Sequence, residues 1–113
     1  IMLIRDLVIN DLFETPILLR GMPLDLLRRG VTASNVLTIY GLVKSVSASM
    51  RDNELVISYE GLSKPVSDGR YELLIDSPIM PREVQCDGCG YEVVGNAIRV
   101  VHGGRFTIRV LGQ

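Results

Sequence analysis

The 113-residue chain is short of the residue types that mark most catalytic, nucleic-acid-binding or disulfide-built proteins. It has no Trp, two Phe, one His and two Cys, and its twelve Lys and Arg against thirteen Asp and Glu give a net charge of −1. Two cysteines are too few for a disulfide scaffold. Balanced charge and scarce aromatics provide neither a phosphate-binding surface nor platforms for base stacking. The composition therefore argues against nucleic-acid binding and excludes a disulfide-rich fold.

Long hydrophobic runs are also missing. Hydrophobic residues form 47% of the chain and the mean hydropathy is +0.27, yet no apolar run approaches the roughly 18 residues of a membrane-spanning helix. Arg5, Asp6, Asn10 and Asp11 interrupt the apolar start, whereas a secretory signal keeps that stretch continuous. We therefore expect one domain over residues 1–113, with no membrane contact, in the cytoplasm or in an intracellularly assembled particle such as a virion.

Motifs for catalysis are absent from the sequence. One histidine cannot form a site that needs two, and there is no G-x-S-x-G, phosphate-binding loop or H-E-x-x-H motif. Asp68 and Asp76 could pair as acid and base, but their spacing does not distinguish them from ordinary surface carboxylates. The sequence therefore predicts a protein that is not an enzyme.

Short apolar runs separated by turn residues dominate the rest of the chain. Leu55, Ile57 and Tyr59 occupy every second position, which is the period of a half-buried strand. Turn signals recur about every eight to twelve residues, and helices do not alternate with strands. We therefore predict an all-β fold, a small antiparallel β-sandwich or partly open, jelly-roll-like barrel of about eight or nine strands.

Three segments give more specific predictions. Residues 23–30 begin with Pro, carry an acid early and two Arg late, and end in Gly30, which predicts one short helix near residues 23–29. Residues 36–50 are β-branched and predict one long strand with a bend at Gly41. The segment from 61 to 69 is predicted to be a loop.

The last thirty residues contain three turn signals, Asp-Gly at 87–88, Gly-Asn at 95–96 and Gly-Gly at 103–104, which predict a β-meander. Burial of apolar side chains favours a three-residue loop over 103–105 with one glycine at positive φ, and this loop places Val100 across from Ile108. A two-residue loop at 95–96 gives three opposed pairs on one face: Val93 with Ile98, Tyr91 with Val100, and Cys89 with His102.

Cys86, Cys89 and His102 are the candidate metal ligands. A Cys-Asp-Gly-Cys turn brings two thiols together and the strand register adds His102, so the three could hold a structural zinc. A fourth ligand would have to be Asp87, Glu92 or a residue of another chain. The alternative interpretation is a pair of reduced cysteines at a tight turn, with His102 filling a strand position. A redox site would place the pair at the start of a helix, which this sequence does not favour.

The N-terminal third is unusually rich in large apolar residues, with fifteen within 26 positions. One small core can hardly bury all of them, so we expect residues 1–31 to act partly as an interface arm. The candidate interface residues are Met2, Leu3, Ile4, Leu7, Ile9, Phe13, Leu18, Met22, Leu24 and Leu27.

These observations favour a non-enzymatic subunit that binds or assembles with other protein chains, as a homo-oligomer or within a larger assembly. A capsid decoration or tail component of a virion is one example. The first alternative is an OB-like nucleic-acid-binding module, because a bent strand over 36–50 followed by a tight turn and a second strand resembles the first hairpin of such barrels. The second alternative is a small zinc-stabilised β domain. No other cofactor is expected.

Overall fold

The computed structural model describes residues 9–10, 17–19, 24–38 and 40–112. Within these residues nine strands form one mostly antiparallel mixed sheet that curls into a half-barrel, with one short helix. The predicted all-β class is therefore confirmed. The elements are β1 Ile9–Asn10, β2 Ile17–Leu18, α1 Leu24–Arg29, β3 Val31–Thr38, β4 Gly41–Arg51, β5 Glu54–Gly61, β6 Lys64–Ser67, β7 Arg70–Asp76, β8 Pro81–Val94 and β9 Ala97–Gly112.

The short helix α1 confirms the prediction for residues 23–29. It has Asp25 in its first turn and two arginines in its last, as the helix dipole favours. Gly30 follows at φ 84°, and its N–H donates to the carbonyl of Leu27 at 3.0 Å. The glycine thus ends the helix in a conformation that other residues rarely adopt. In the described part of the chain, no helix is long and apolar enough to cross a membrane.

The prediction of one long strand over residues 36–50 is wrong. The chain reverses between β3 and β4, which pair as an antiparallel hairpin with Val36 opposite Val43. Gly41 has φ 127°, and the Thr38 hydroxyl donates to the Gly41 carbonyl at 2.9 Å across the turn. The glycine therefore permits a full reversal rather than a bend. The predicted loop over 61–69 also contains the short strand β6, which pairs with β7.

β8 and β9 form a bent ribbon that connects the two halves of the sheet. β8 pairs with β9 on both sides of the bend, whereas β7 pairs with β9 over 97–102 and β5 pairs with it over 105–111. At the bend, the Cα atoms of Cys86 and Cys89 are 5.7 Å apart. Three residues of a straight strand would span about 10 Å. The turn signal at 87 therefore produces a corner within one ladder, and not the meander hairpin that we predicted.

The other two turn signals have different outcomes. The two-residue loop at 95–96 and all three of its predicted residue pairs are confirmed. The prediction of a hairpin at 103–105, with Val100 opposite Ile108, is wrong. Val100 pairs with Leu73 of β7, and Ile108 pairs with Ile57 of β5. Gly104 has the expected positive φ, 117°. The chain bends there without reversing, since each half of β9 is held by a different neighbouring strand.

The core lies inside the half-barrel and follows the two-residue period of the strands. The even-numbered residues of β9 from Ile98 to Val110 are buried, except Gly104 at the bend. The odd-numbered face carries all three arginines of the strand, and Arg99 there donates to Glu72 at 2.8 Å. Leu18 of β2 and Leu27 of α1 are fully buried in the same core.

Candidate functional site

A disulfide between Cys86 and Cys89 closes the bend of β8, which we call the β8 corner, residues 84–91. Gly88 stands between the cysteines at φ 82°, and a Cβ added to it would lie 3.1 Å from the carbonyl oxygen of Arg105. The Tyr91 hydroxyl donates to the carbonyl of Val84 at 3.1 Å, across the corner. The two arms of β8 are thus held together by a covalent bond, a glycine conformation and a hydrogen bond.

The structure places the predicted zinc ligands close in register but does not arrange them as a set of metal ligands. Cys89 lies opposite His102 as predicted, yet the two cysteines bond each other. Among the described residues there is no group of three His, Cys, Asp or Glu that could hold a metal ion. In this structure the two cysteines are bonded to each other, in contrast to the reduced pair of the alternative interpretation, and their Cα atoms lie within the range of disulfides. Zinc binding stays a prediction that requires this bond to be open.

His102 belongs to a buried chain of hydrogen bonds. The backbone N–H of Gly104 donates to His102 Nδ1 at 2.9 Å, so the ring proton lies on Nε2, which is 3.0 Å from Ser63 Oγ. Ser63 in turn donates to the Tyr59 hydroxyl at 3.1 Å, and Tyr59 donates to the carbonyl of Leu62 at 2.7 Å. Each donor therefore has one acceptor. We call the side chains of Tyr59, Ser63 and His102 the histidine network.

The hydrogen bonds of the histidine network run in the direction opposite to those of a serine nucleophile activated by a histidine base. A catalytic base would accept the Ser63 proton, whereas here His102 donates to Ser63 and the serine proton points to Tyr59. Ser63 and His102 are both completely buried. Burial lowers the pKa of His102 to about 4 and raises the pKa of Tyr59, so both groups are neutral near pH 7. The network ties the residues after β5 to the bend of β9.

We expect His102 to make the folded state sensitive to acid. Its pKa is about 4 when folded and about 6.5 when unfolded. The unfolded chain therefore binds the proton first, and stability that is fully present above about pH 6.5 is lost as the pH falls toward 4. The expected loss is about 3 kcal/mol. Urea unfolding across this range, compared with His102→Phe, measures it, because other acids titrate equally in both proteins. Identical pH slopes would contradict the assignment.

Two of the predicted interface residues have a role within the chain. Leu18 and Leu27 are fully buried in the core, so their apolar character is explained without a partner. Ile9 and Leu24 begin β1 and α1, with side chains that the structure does not describe. The remaining six lie outside the described residues: Met2, Leu3, Ile4, Leu7, Phe13 and Met22.

Exposed apolar side chains lie elsewhere in the described part of the chain, and sequence analysis did not find them. Tyr91, Val93 and Val94 are 48%, 40% and 64% exposed at the end of β8. Leu42 and Leu62 line an open groove of about 450 Å³ together with Tyr71. The strand register placed Tyr91 and Val93 on one face, opposite Val100 and Ile98, which is correct, but it could not show that these two β8 side chains are exposed.

The described residues thus define an all-β half-barrel with a disulfide-closed corner, a buried histidine network and an apolar strand end. Comparison of the chain with protein-family models, curated proteins and solved structures finds no match.

Proposed function

We propose that the protein is a non-enzymatic assembly subunit that binds other protein chains, and first of all copies of itself. The observation that carries the proposal is the apolar end of β8, formed by Tyr91, Val93 and Val94. Tyr91 and Val93 lie on one face of β8 and Val94 lies on the other, so together they form an apolar patch that is exposed on both faces of this strand end. Clustered exposed apolar side chains commonly mark protein contacts.

The position of this patch explains why a partner strand suits it. Tyr91 lies opposite Val100 and Val93 lies opposite Ile98. Both β9 residues are completely buried, whereas their β8 partners are nearly half exposed. In the described part of the chain β8 pairs only with β9, so its other edge offers unpaired N–H and C=O groups. A second strand with apolar side chains would continue both the ladder and the core.

Charge limits the contact to one arm of β8. Arg82, Glu83 and Asp87 are exposed along the first arm and the corner, and charged side chains protect a strand edge from pairing. In the arm from 91 to 94, Glu92 is the one charged residue and the other three side chains are largely apolar. A second copy presents the same patch, and a two-fold axis can therefore join like to like. A capsid decoration or tail subunit assembles through such contacts, which is an analogy of architecture.

The OB-like alternative has lost the feature on which it was based. Residues 36–50 form part of a hairpin and not a bent strand. Two of the three arginines of β9 also contact acids: Arg99 lies 2.8 Å from Glu72, and Arg109 lies 4.0 Å from Glu54. These acids reduce the positive potential that a phosphate backbone would require.

The test is the mass of the chain in solution. We expect the wild-type chain to form oligomers and Val93→Glu to shift them toward monomers, because a charge in the contact would be desolvated without a partner. Val66→Glu is the matched control, since Val66 is 45% exposed on β6. Sedimentation gives the mass, and circular dichroism verifies that each variant is folded. A wild-type chain that stays monomeric at high concentration, or equal dissociation of both variants, would contradict the proposal.

A further inference from the structure

The β8 corner has a feature that assembly does not use, namely two cysteines that can exist bonded or free. We propose that Cys86 and Cys89 form a reversible dithiol–disulfide site, which thiols of the glutathione class reduce and the disulfides of those thiols reoxidise while the chain stays folded. This inference does not depend on the assembly proposal.

The corner holds the two cysteines together by means other than their bond. Cys86 is paired with Ile108 and Cys89 with His102, and these two partners are completely buried. Gly88 keeps its left-handed conformation between them. After reduction the two thiols therefore stay close, and the disulfide can close again within one molecule. The only cysteines of the chain are these two, so no other internal pairing competes.

The disulfide is also accessible to a small thiol. Both cysteines are partly exposed, in contrast to their buried partners on β9. They lie on β8, which has no strand on its other side among the described residues. Exchange requires a thiolate to approach a sulfur atom, and this open side provides the approach.

The exchange takes place in two steps. A glutathione-class thiolate attacks one cysteine sulfur, the S–S bond breaks, and a mixed disulfide forms while the other cysteine leaves as a thiolate and takes a proton. A second thiolate then attacks the outer sulfur of the mixed disulfide and releases the first cysteine, which also takes a proton. The chain gains two electrons and two protons, and the two reductant molecules leave as one disulfide. Oxidation runs through the same steps in reverse.

The experiment is a redox titration of the full chain in mixtures of reduced and oxidised glutathione, started from both the oxidised and the reduced protein. Thiol alkylation followed by mass spectrometry counts free cysteines. We expect zero or two labels per chain, and the same midpoint from both directions. A disulfide that resists reduction in the folded chain, or a reduced pair that forms intermolecular bonds instead, would overturn the proposal. Zinc binding that prevents reoxidation would also overturn it and favour the metal site.

Two glycine variants test whether the conformation of the β8 corner sets the dithiol–disulfide equilibrium of Cys86 and Cys89. Gly88→Ala adds a Cβ 3.1 Å from the Arg105 carbonyl oxygen, whereas Gly95→Ala, at φ 63°, adds one with no atom within 4 Å. We expect Gly88→Ala to favour the dithiol about tenfold, or about 30 mV for two electrons, and Gly95→Ala to leave the midpoint unchanged. Hydrogen exchange over residues 84–94 should increase in the reduced chain, and equally in the double variant Cys86→Ser/Cys89→Ser. Equal midpoints for the two glycine variants, or unchanged exchange on reduction, would show that the corner and the disulfide are not coupled.

Discussion

Replacing Ile108 with aspartate is expected to leave a large fraction of the molecules unfolded, whereas the same change at the neighbouring Thr107 should leave the protein folded. Ile108 is completely buried between Ile57 and Cys86 on the flanking strands. Aspartate there would lose the burial of the isoleucine and place a carboxyl group without a partner in the core. Thr107 lies on the opposite face of β9, where it is partly exposed.

The expected cost at Ile108 is about 4 kcal/mol, close to the whole stability of many small domains, and that at Thr107 is below about 1 kcal/mol. Urea unfolding followed by circular dichroism measures both midpoints. The two variants carry the same added charge on adjacent residues, so each controls for the other. Equal midpoints would mean that the facing of β9 is wrong.

This face of β9 was predictable although its strand partner was not. Side chains alternate along a strand regardless of which strand lies beside it, so the sequence correctly predicts that Val100 and Ile108 are buried. It cannot predict that Val100 pairs with β7 and Ile108 with β5, since these contacts join segments far apart in the chain. The two-residue period of the sequence thus predicts which face of β9 is buried, whereas contacts between distant segments decide which strand pairs with it.

Glycine signals show a similar division. Those at 41, 88, 95 and 104 each mark a change of chain direction, and all four glycines have positive φ. The one at 95 makes the predicted hairpin, the one at 41 makes a hairpin where a bend was expected, and those at 88 and 104 make bends where hairpins were expected. A glycine permits each of these conformations, and the pairing of the flanking strands selects one.

The histidine network shows why the site residues were only partly predicted. Register placed His102 opposite Cys89, as the structure confirms. Its hydrogen-bond partner Ser63 is 39 residues away in a segment predicted to be loop, with no motif that links the two. The apolar N-terminal third was similarly ambiguous, because Leu18 and Leu27 serve the core of the same chain. Hydrophobicity alone does not distinguish a core from an interface.

Gly61→Ala should be nearly as damaging as the charge at Ile108, although it adds only one methyl group. Gly61 ends β5 opposite Val43, where the register of the β4–β5 ladder shifts. A Cβ at Gly61 would lie 2.6 Å from the Cα of Val43, which is backbone and cannot turn aside as a side chain can. We expect a loss of about 3 kcal/mol, since two paired strands must separate to relieve the overlap.

Gly69→Ala is the matched control for this prediction. Gly69 also has positive φ, 70°, but no atom lies within 4 Å of an added Cβ. Its loss should be limited to the conformational cost of about 1 to 2 kcal/mol. Thermal unfolding of both variants separates overlap from backbone conformation. Gly61 precedes Leu62, whose carbonyl accepts the Tyr59 proton, and Ser63, whose hydroxyl is bonded to His102. We therefore expect Gly61→Ala also to weaken the acid sensitivity attributed to His102. Equal unfolding midpoints for the two alanine variants, with the pH slope of Gly61→Ala unchanged, would show that β4 and β5 do not approach as closely as the structure requires.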